Sequence, residues 1–144
     1  MSVECFLDTN VLVYAVSSAA GEAEKKEQAL KLIETTDFGL STQVLQEFYV
    51  TVTGKLRAPL PPDEAVALLD QYRLFPTALT DYPLILMAIE HSLRYGISYW
   101  DAAIVAAAER LDANVVYSED LSHGQRYGSI EVSNPFLPPN HRPH

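Results

Sequence analysis

Four acidic residues from distant parts of the chain could form one catalytic site: Asp8, Glu47, Asp101 and Asp120. Like charges repel when they gather without a counterion, so a cluster of this kind favours a bound cation. Mg²⁺ and Mn²⁺ prefer carboxylate oxygens and retain several waters. Such an ion can activate water and stabilise charge on a phosphate. The chemistry we expect from these residues is therefore hydrolysis of a phosphodiester.

Taken one at a time, the same four acids have ordinary structural explanations. Asp8 and Asp101 stand where they could cap the N-termini of helices. Glu47 shares a helical stripe with polar neighbours, as solvated surface acids do, and Asp120 is a typical turn residue. Only their convergence makes them a candidate site, so the elements that carry them decide the question.

Two of the acids directly follow predicted strands. Asp8 ends the apolar run at residues 3–7, and Asp120 comes soon after the predicted strand 114–117. In open parallel sheets, sites form at the carboxyl ends of the strands. We therefore expect Asp8 and Asp120 at one edge of the sheet.

The other two acids lie near the starts of predicted helices. Asp101 opens a nearly all-apolar helix at 101–111, whose N-terminus is level with the carboxyl ends of the strands because the helix runs antiparallel to them. Glu47 lies about five residues into a helix that begins after the predicted strand 38–40. This depth places it roughly 7 Å below the carboxyl edge of the sheet. The topology thus brings all four acids toward the same edge.

Alternating strands and helices predict a parallel sheet covered on both faces. Pro76 weakens one strand and favours a place at the edge of the sheet. We predict one domain over residues 1–144, with an extended proline-rich tail from about Asn134. The predicted strands are 3–7, 38–40, 75–79, 114–117 and 130–132, and the predicted helices are 11–19, 22–36, 42–52, 63–73, 83–95 and 101–111.

Composition narrows the class of protein. The chain has 144 residues, a formal charge of −9 and a single cysteine, Cys5, which excludes a disulfide framework or a thiolate zinc cluster. No apolar stretch is long enough to span a membrane, and the N-terminus lacks the features of a signal peptide. We expect a cytoplasmic protein with no membrane association. The acidic balance argues against passive binding of nucleic acid, but not against an enzyme whose acids hold metal.

Four segments, in order along the chain, resemble the acidic motifs of PIN domains, particularly those of VapC-like ribonuclease toxins. They are Phe-Leu-Asp-Thr-Asn-Val-Leu-Val-Tyr-Ala at 6–15, Ser-Thr-Gln-Val-Leu-Gln-Glu-Phe at 41–48, Ser-Tyr-Trp-Asp-Ala-Ala-Ile at 98–104, and Tyr-Ser-Glu-Asp-Leu at 117–121 followed by His-Gly-Gln at 123–125. One such motif is weak support, whereas four at family spacing are strong.

The resemblance implies a three-layer α/β/α fold with a mostly parallel sheet and a metal-dependent endoribonuclease that uses Mg²⁺ or Mn²⁺. It also implies an RNA substrate, a small antitoxin partner and a homodimer. The residues it implicates are Asp8, Glu47, Asp101 and Asp120 as catalytic acids, with Asp8, Asp101 and Asp120 on the metal, and Asn10 and Ser118 in support. Either Glu119 or Asp120 could face the metal, and alignment with the family favours Asp120.

Other functions remain open at this point. The chain could be a PIN-type nuclease of RNA processing or a structure-specific DNA nuclease, although its length favours the toxin. It could also be a noncatalytic interaction domain, which the loss of an acid would signal, and here all four are present. A dinucleotide-binding domain is disfavoured because no G-x-G-x-x-G motif follows the first strand.

Three further features are candidates for binding. Lys55 and Arg57, a basic pair in a proline-rich loop, could contact phosphate. Tyr99 and Trp100 could stack on a base, although such a pair more often packs in the protein. The apolar stripe of the helix at 22–36, with Ala23, Ala29, Leu30 and Ile33, could dock an antitoxin, although core packing is its commoner use.

Overall fold

The computed structural model describes residues 2–138. The strands in this range are β1 (Cys5–Leu7), β2 (Phe38–Ser41), β3 (Thr77–Ala78), β4 (Val115–Tyr117), β5 (Arg126–Tyr127) and β6 (Ile130–Ser133). The α-helices are α1 (Thr9–Ala15), α2 (Ala23–Thr35), α3 (Thr42–Gly54), α4 (Pro62–Tyr72), α5 (Tyr82–Tyr95) and α6 (Tyr99–Arg110), and a 3₁₀ turn at Ala20–Glu22 precedes α2.

The strands form one sheet in the order β3-β2-β1-β4-β6-β5, in which only β5 and β6 pair antiparallel. β3 lies at one edge, as Pro76 predicted. The chain leaves β1 toward β2 on one side and returns to β4 on the other, so the direction of winding reverses between β1 and β4. Such a reversal opens a crevice at the carboxyl ends of the two strands.

The helices cover both faces of the sheet. Right-handed connections place α1 to α4 on one face and α5 and α6 on the other. α1 packs between α2 and α3, while α6 lies on the sheet and carries α5 on its outer side. The predicted three-layer fold with a mostly parallel sheet is therefore confirmed.

Small residues allow α6 and the sheet to approach closely. Five alanines of α6 are buried: Ala102, Ala103, Ala106, Ala107 and Ala108. In β2, a Cβ atom at Gly39 would lie 2.5 Å from Cδ1 of Leu111, just beyond α6, so a larger residue there would displace the Leu111 side chain. The close packing fixes the N-terminal end of α6 relative to the carboxyl edge of the sheet.

The two predicted helix caps have different outcomes. Asp8 does cap α1, because its Oδ1 accepts a hydrogen bond of 2.8 Å from the backbone N–H of Thr9. Asp101 does not cap α6. That helix begins two residues earlier than predicted, and the hydroxyl of Ser98 caps it by accepting a bond from the N–H of Asp101.

Other differences from the predicted elements are short-range. α1 ends at Ala15, four residues earlier than predicted, and beyond it the hydroxyl of Ser17 accepts a hydrogen bond of 3.2 Å from the backbone N–H of Ala19. β5 was not predicted, since two residues are too few to show a periodic pattern. Of the predicted docking stripe, Ala29 is fully buried and Ile33 packs against the core, whereas Ala23 and Leu30 are exposed, so core packing uses two of the four residues.

The predicted tail lies partly outside the described residues, which end at 138. Its first residues turn back on the domain: the N–H of Phe136 bonds to the side chain of Asn134 at 2.9 Å, and the Phe136 ring packs edge-on against Tyr14. In the part of the chain that the structure describes, no helix combines the length and apolar character that a membrane span needs.

Candidate active site

Asp8 lies at the carboxyl end of β1, inside the crevice between β1 and β4. The residue is only 7% exposed. Its Oδ1 accepts from the N–H of Thr9 and its Oδ2 accepts a bond of 2.7 Å from the hydroxyl of Ser118. The pKa of Asp8 is raised to about 6, chiefly by burial and to a smaller extent by the nearby carboxylates of Glu47 and Asp120, while its hydrogen bonds from Ser118 and Thr9 lower it.

Ser118, just after β4, joins the two strand ends. The residue is fully buried, and its hydroxyl donates to Asp8. The same oxygen accepts from the backbone N–H groups of Asp120 at 3.1 Å and Leu121 at 3.2 Å. One hydroxyl therefore fixes both the first acid and the turn that carries the fourth.

Asn10, in the first turn of α1, supports the same turn from the other side. Its Nδ2 donates to Oδ2 of Asp120 at 3.2 Å and lies 3.4 Å from the hydroxyl of Ser118. Its Oδ1 accepts from the backbone N–H of Glu119 at 3.1 Å. The amide thus supplies both a donor and an acceptor, a combination that an aspartate at this position would lack.

Glu47 reaches the site from α3, where it is exposed. Its two oxygens accept from different neighbours: Oε2 from the hydroxyl of Thr9 at 3.2 Å and Oε1 from Nε2 of Gln43 at 2.8 Å. Gln43 also donates to the backbone carbonyl of Trp100 at 3.3 Å. Gln43 therefore connects α3 to the first turn of α6.

Asp101 lies in that first turn of α6 and is half-buried. Its charge acts on Tyr127 of β5, whose pKa is raised by burial first and by Asp101 second. The structure therefore places Glu47 and Asp120 close enough to Asp8 for the charge of each to act on it. Asp101 directly follows Trp100, whose backbone carbonyl accepts a hydrogen bond from Gln43, and Gln43 also donates to Glu47.

The sequence matches the family profile of the PIN domain over residues 5–127. This match spans most of the chain and all four acids. The chain belongs to the PIN domain family. The predicted resemblance is confirmed, while none of the curated proteins compared with the chain matches it in sequence.

Solved structures share the fold of this PIN domain at low sequence identity. VapC20 of Mycobacterium tuberculosis, a sarcin-ricin loop cleaving toxin, is 21% identical with a TM-score of 0.61, over 81% of this chain and 90% of that one. FitAcB of Neisseria gonorrhoeae is 20% identical, TM-score 0.62, over 92% and 98%. DNA-bound VapBC of Salmonella typhimurium is 17% identical, TM-score 0.62, over 94% and 99%.

The two adjacent acids of the fourth PIN motif point to different partners. The carboxylate of Asp120 bonds to Asn10, within the electrostatic reach of Asp8. The carboxylate of Glu119 instead contacts Nζ of Lys25 at 2.5 Å and the hydroxyl of Tyr14 at 2.6 Å. This arrangement supports Asp120 as the acid that faces a metal.

The donor chemistry of the site fits a hard divalent cation. The four acids offer only carboxylate oxygens, which Mg²⁺ and Mn²⁺ prefer. Within residues 2–138, none of the four pairs with a basic side chain. In that range no three aspartate, glutamate, histidine or cysteine side chains lie close enough together to hold a metal ion. An ion with few protein ligands and several waters suits this geometry.

Polar residues that the sequence analysis did not single out complete the site. Thr9 and Gln43 orient Glu47, and both could have been noticed: Thr9 follows Asp8 directly, and Gln43 lies one helical turn before Glu47.

Lys55 and Glu47 line the same shallow cavity of about 310 Å³ on α3. Lys55 and Arg57 together line a second cavity of about 610 Å³.

Trp100 does not pack in the interior of the domain. Its residue is 66% exposed, and its ring lies edge-on to Tyr99 with 5.0 Å between the ring centres. The indole therefore stands at the surface beside Asp101, where a nucleobase could stack on it.

Proposed function

We propose that this PIN domain is a metal-dependent endoribonuclease that acts as the toxin of a toxin–antitoxin pair. The observation that carries the proposal is the buried carboxylate of Asp8, which faces Glu47 and Asp120 while no basic side chain of residues 2–138 pairs with any of the three. Such an arrangement is unfavourable for folding alone and becomes favourable when a cation binds.

Asp8, Asp101 and Asp120 would hold Mg²⁺ or Mn²⁺, which when bound neutralises these charges and stabilises negative charge on a phosphate. Ser118 and Asn10 keep Asp8 and Asp120 in place. Glu47 is exposed and its orientation is set by Thr9 and Gln43, so it can accept a proton from a water beside the phosphate. Lys55, in the cavity of Glu47, is suited to contact a phosphate of the RNA.

The expected test is cleavage of single-stranded RNA. Asp8→Asn, Glu47→Gln and Asp101→Asn should each reduce the rate by orders of magnitude, because such sites work as a unit. EDTA should abolish cleavage. Equal activity of all three variants, or activity that survives EDTA, would disprove the metal nuclease. A DNA substrate in parallel tests for a structure-specific DNA nuclease.

An antitoxin would suit the charge of the site. An arginine of the partner could form two hydrogen bonds to a pair of the carboxylates, replacing the charge of the cation. VapBC of Salmonella typhimurium and FitAcB of Neisseria gonorrhoeae share this fold, and this likeness supports the expectation of an antitoxin partner. The product of a short neighbouring reading frame should copurify with the chain and suppress cleavage, and Mg²⁺ should compete with it. Absence of any binding neighbour, together with normal growth on expression of the chain, would contradict the toxin role.

A homodimer formed through α5 would cover an apolar stripe. Four side chains one helical turn apart on this helix are strongly exposed: Tyr82 at 69%, Leu86 at 48%, Ile89 at 43% and Leu93 at 81%. A helix of a monomeric protein normally presents polar residues to water. Contiguous apolar surface of this kind is typical of protein interfaces.

A further inference from the structure

Lys25 forms a cluster beside the site that the proposed catalytic residues do not use. Its Nζ contacts Oε2 of Glu119 at 2.5 Å and the hydroxyl of Tyr14 at 3.2 Å. The Tyr14 hydroxyl in turn donates to Oε1 of Glu119 at 2.6 Å. The lysine also lies over the ring of Tyr14, 4.9 Å from its centre, and within 5.9 Å of the ring centre of Phe136. Both oxygens of Glu119 therefore have a dedicated partner.

Glu119 and Asp120 belong to the same turn, and the backbone of that turn is held by residues of the site. Asn10 accepts from the N–H of Glu119, and Ser118 accepts from the N–H of Asp120. With the backbone fixed, the partners of each side chain decide where its charge lies. Asn10 retains the carboxylate of Asp120, and Lys25 with Tyr14 retains that of Glu119.

A divalent cation recruits carboxylate oxygens within its reach. Glu119 precedes Asp120 directly and has the longer side chain, so it is the nearest competitor for the position of Asp120. The aromatic contacts of Lys25 add to an ion pair that is only partly exposed, with side-chain exposures of 39% for Lys25 and 26% for Glu119. These contacts distinguish it from a freely solvated surface pair.

We propose that Lys25 is a positioning residue that holds Glu119 away from the cation site, so that Asp120 alone of the two acids faces it. This inference rests on the proposed metal-dependent function. Lys25 does not touch the reacting groups in this role. It acts through Glu119, and its effect depends on the presence of that carboxylate.

The affinity for Mn²⁺ in the absence of RNA tests the proposal, measured by the electron paramagnetic resonance signal of free Mn²⁺ at physiological salt. Lys25→Met keeps the apolar stem but removes the charged partner of Glu119 and leaves only the bond from Tyr14, so it should bind Mn²⁺ more tightly, by about threefold to tenfold. Lys25→Met combined with Glu119→Gln should return to within about twofold of the parent, because no freed carboxylate remains. Lys25→Arg, which retains the charge, should also match the parent.

Two matched variants separate this role from a general effect of charge. Lys26→Met removes the same charge from the adjacent position, and Glu119→Gln alone removes a carboxylate that is held away from the site. Because salt screens distant charges, each should change Mn²⁺ affinity by less than about twofold. Thermal unfolding checks that every variant is folded.

The proposal is overturned if Lys25→Met binds Mn²⁺ as the parent does, if Lys26→Met has the same effect, or if the double variant fails to restore the affinity. It is also overturned if the parent binds no Mn²⁺. Cleavage of RNA is assayed separately. A parent that binds Mn²⁺ with the expected variant pattern but leaves RNA intact would disprove the nuclease and keep the role of Lys25.

Discussion

The hydroxyl of Ser118 donates a hydrogen bond of 2.7 Å to the carboxylate of Asp8, although the two residues are 110 positions apart in sequence. They meet because β1 and β4 are parallel neighbours, with Leu7 opposite Tyr117 in the register. The N–H of Asp8 also bonds to the carbonyl of Tyr117 at 3.0 Å. The point where the winding of the sheet reverses is therefore closed by main-chain and side-chain bonds around one buried acid.

Replacing Asp8 by asparagine should stabilise the metal-free protein at neutral pH. Burial raises the pKa of Asp8 from 3.8 to about 6, so the folded protein binds the proton more readily than the unfolded chain. The cost of ionising Asp8 therefore appears as the pH rises from about 4 through about 6 and is fully present above that range. Asparagine avoids this cost and still caps a helix well.

We expect Asp8→Asn to raise the free energy of unfolding in EDTA at pH 7.5 by up to about 3 kcal/mol and to have little effect at pH 4. Urea unfolding at the two pH values measures the difference. Asp63→Asn, at an exposed position of α4, is the matched control and should change stability little at either pH. An equal effect of Asp8→Asn at both pH values would contradict the explanation.

Removing the hydroxyl of Ser118 should destabilise the turn that carries Asp120. Ser118→Ala leaves the N–H groups of Asp120 and Leu121 without their acceptor, and it removes a bond that lowers the pKa of Asp8. Leaving buried polar groups unpaired costs about 1–3 kcal/mol. Urea unfolding should show a loss of this size, whereas Ser129→Ala, at an exposed position, should be nearly neutral. Full stability of Ser118→Ala would show that the turn does not depend on this hydroxyl.

The sequence was enough to predict which strand ends carry Asp8 and Asp120. Parallel strands place their carboxyl ends at one edge, and this rule needs only the order of apolar runs and helices. The position of Glu47 followed in the same way from the helix after β2. These predictions depend on topology, and small errors in element boundaries leave them intact.

The details that depend on single side-chain contacts could not be predicted. The cap of α6 moved from Asp101 to Ser98, because the helix begins earlier than its apolar run. The partners of Glu119 lie on α1 and α2, about a hundred residues away in sequence, so adjacency to Asp120 gave no indication of Lys25. Such contacts are set by how α1 and α2 pack against each other, which no local pattern encodes.

Lys55 should contribute to RNA binding more than to the chemical step. It lines the cavity of Glu47, and the overall charge of −9 means that few cations offset repulsion of the phosphates. We expect Lys55→Gln to raise KM by about threefold to tenfold with little change in kcat. The slope of log affinity for RNA against log salt concentration should become shallower by about one. Lys31→Gln, which removes the same charge from an exposed position of α2, should leave KM unchanged. Equal effects of the two variants would assign the change to net charge alone.

The apolar stripe of α5 predicts self-association that a single charge should break. Leu86 is 48% exposed and lies between Tyr82 and Ile89 on the same face of the helix, so glutamate there would be buried in a dimer and solvated in a monomer. Leu86→Glu should convert the protein from dimer to monomer in sedimentation velocity without lowering the stability of the isolated domain. Val66→Glu is the matched control, since Val66 of α4 is 49% exposed but lies outside the stripe, and it should remain dimeric. A parent that sediments as a monomer, or a Leu86→Glu variant that still forms the dimer, would disprove this interface.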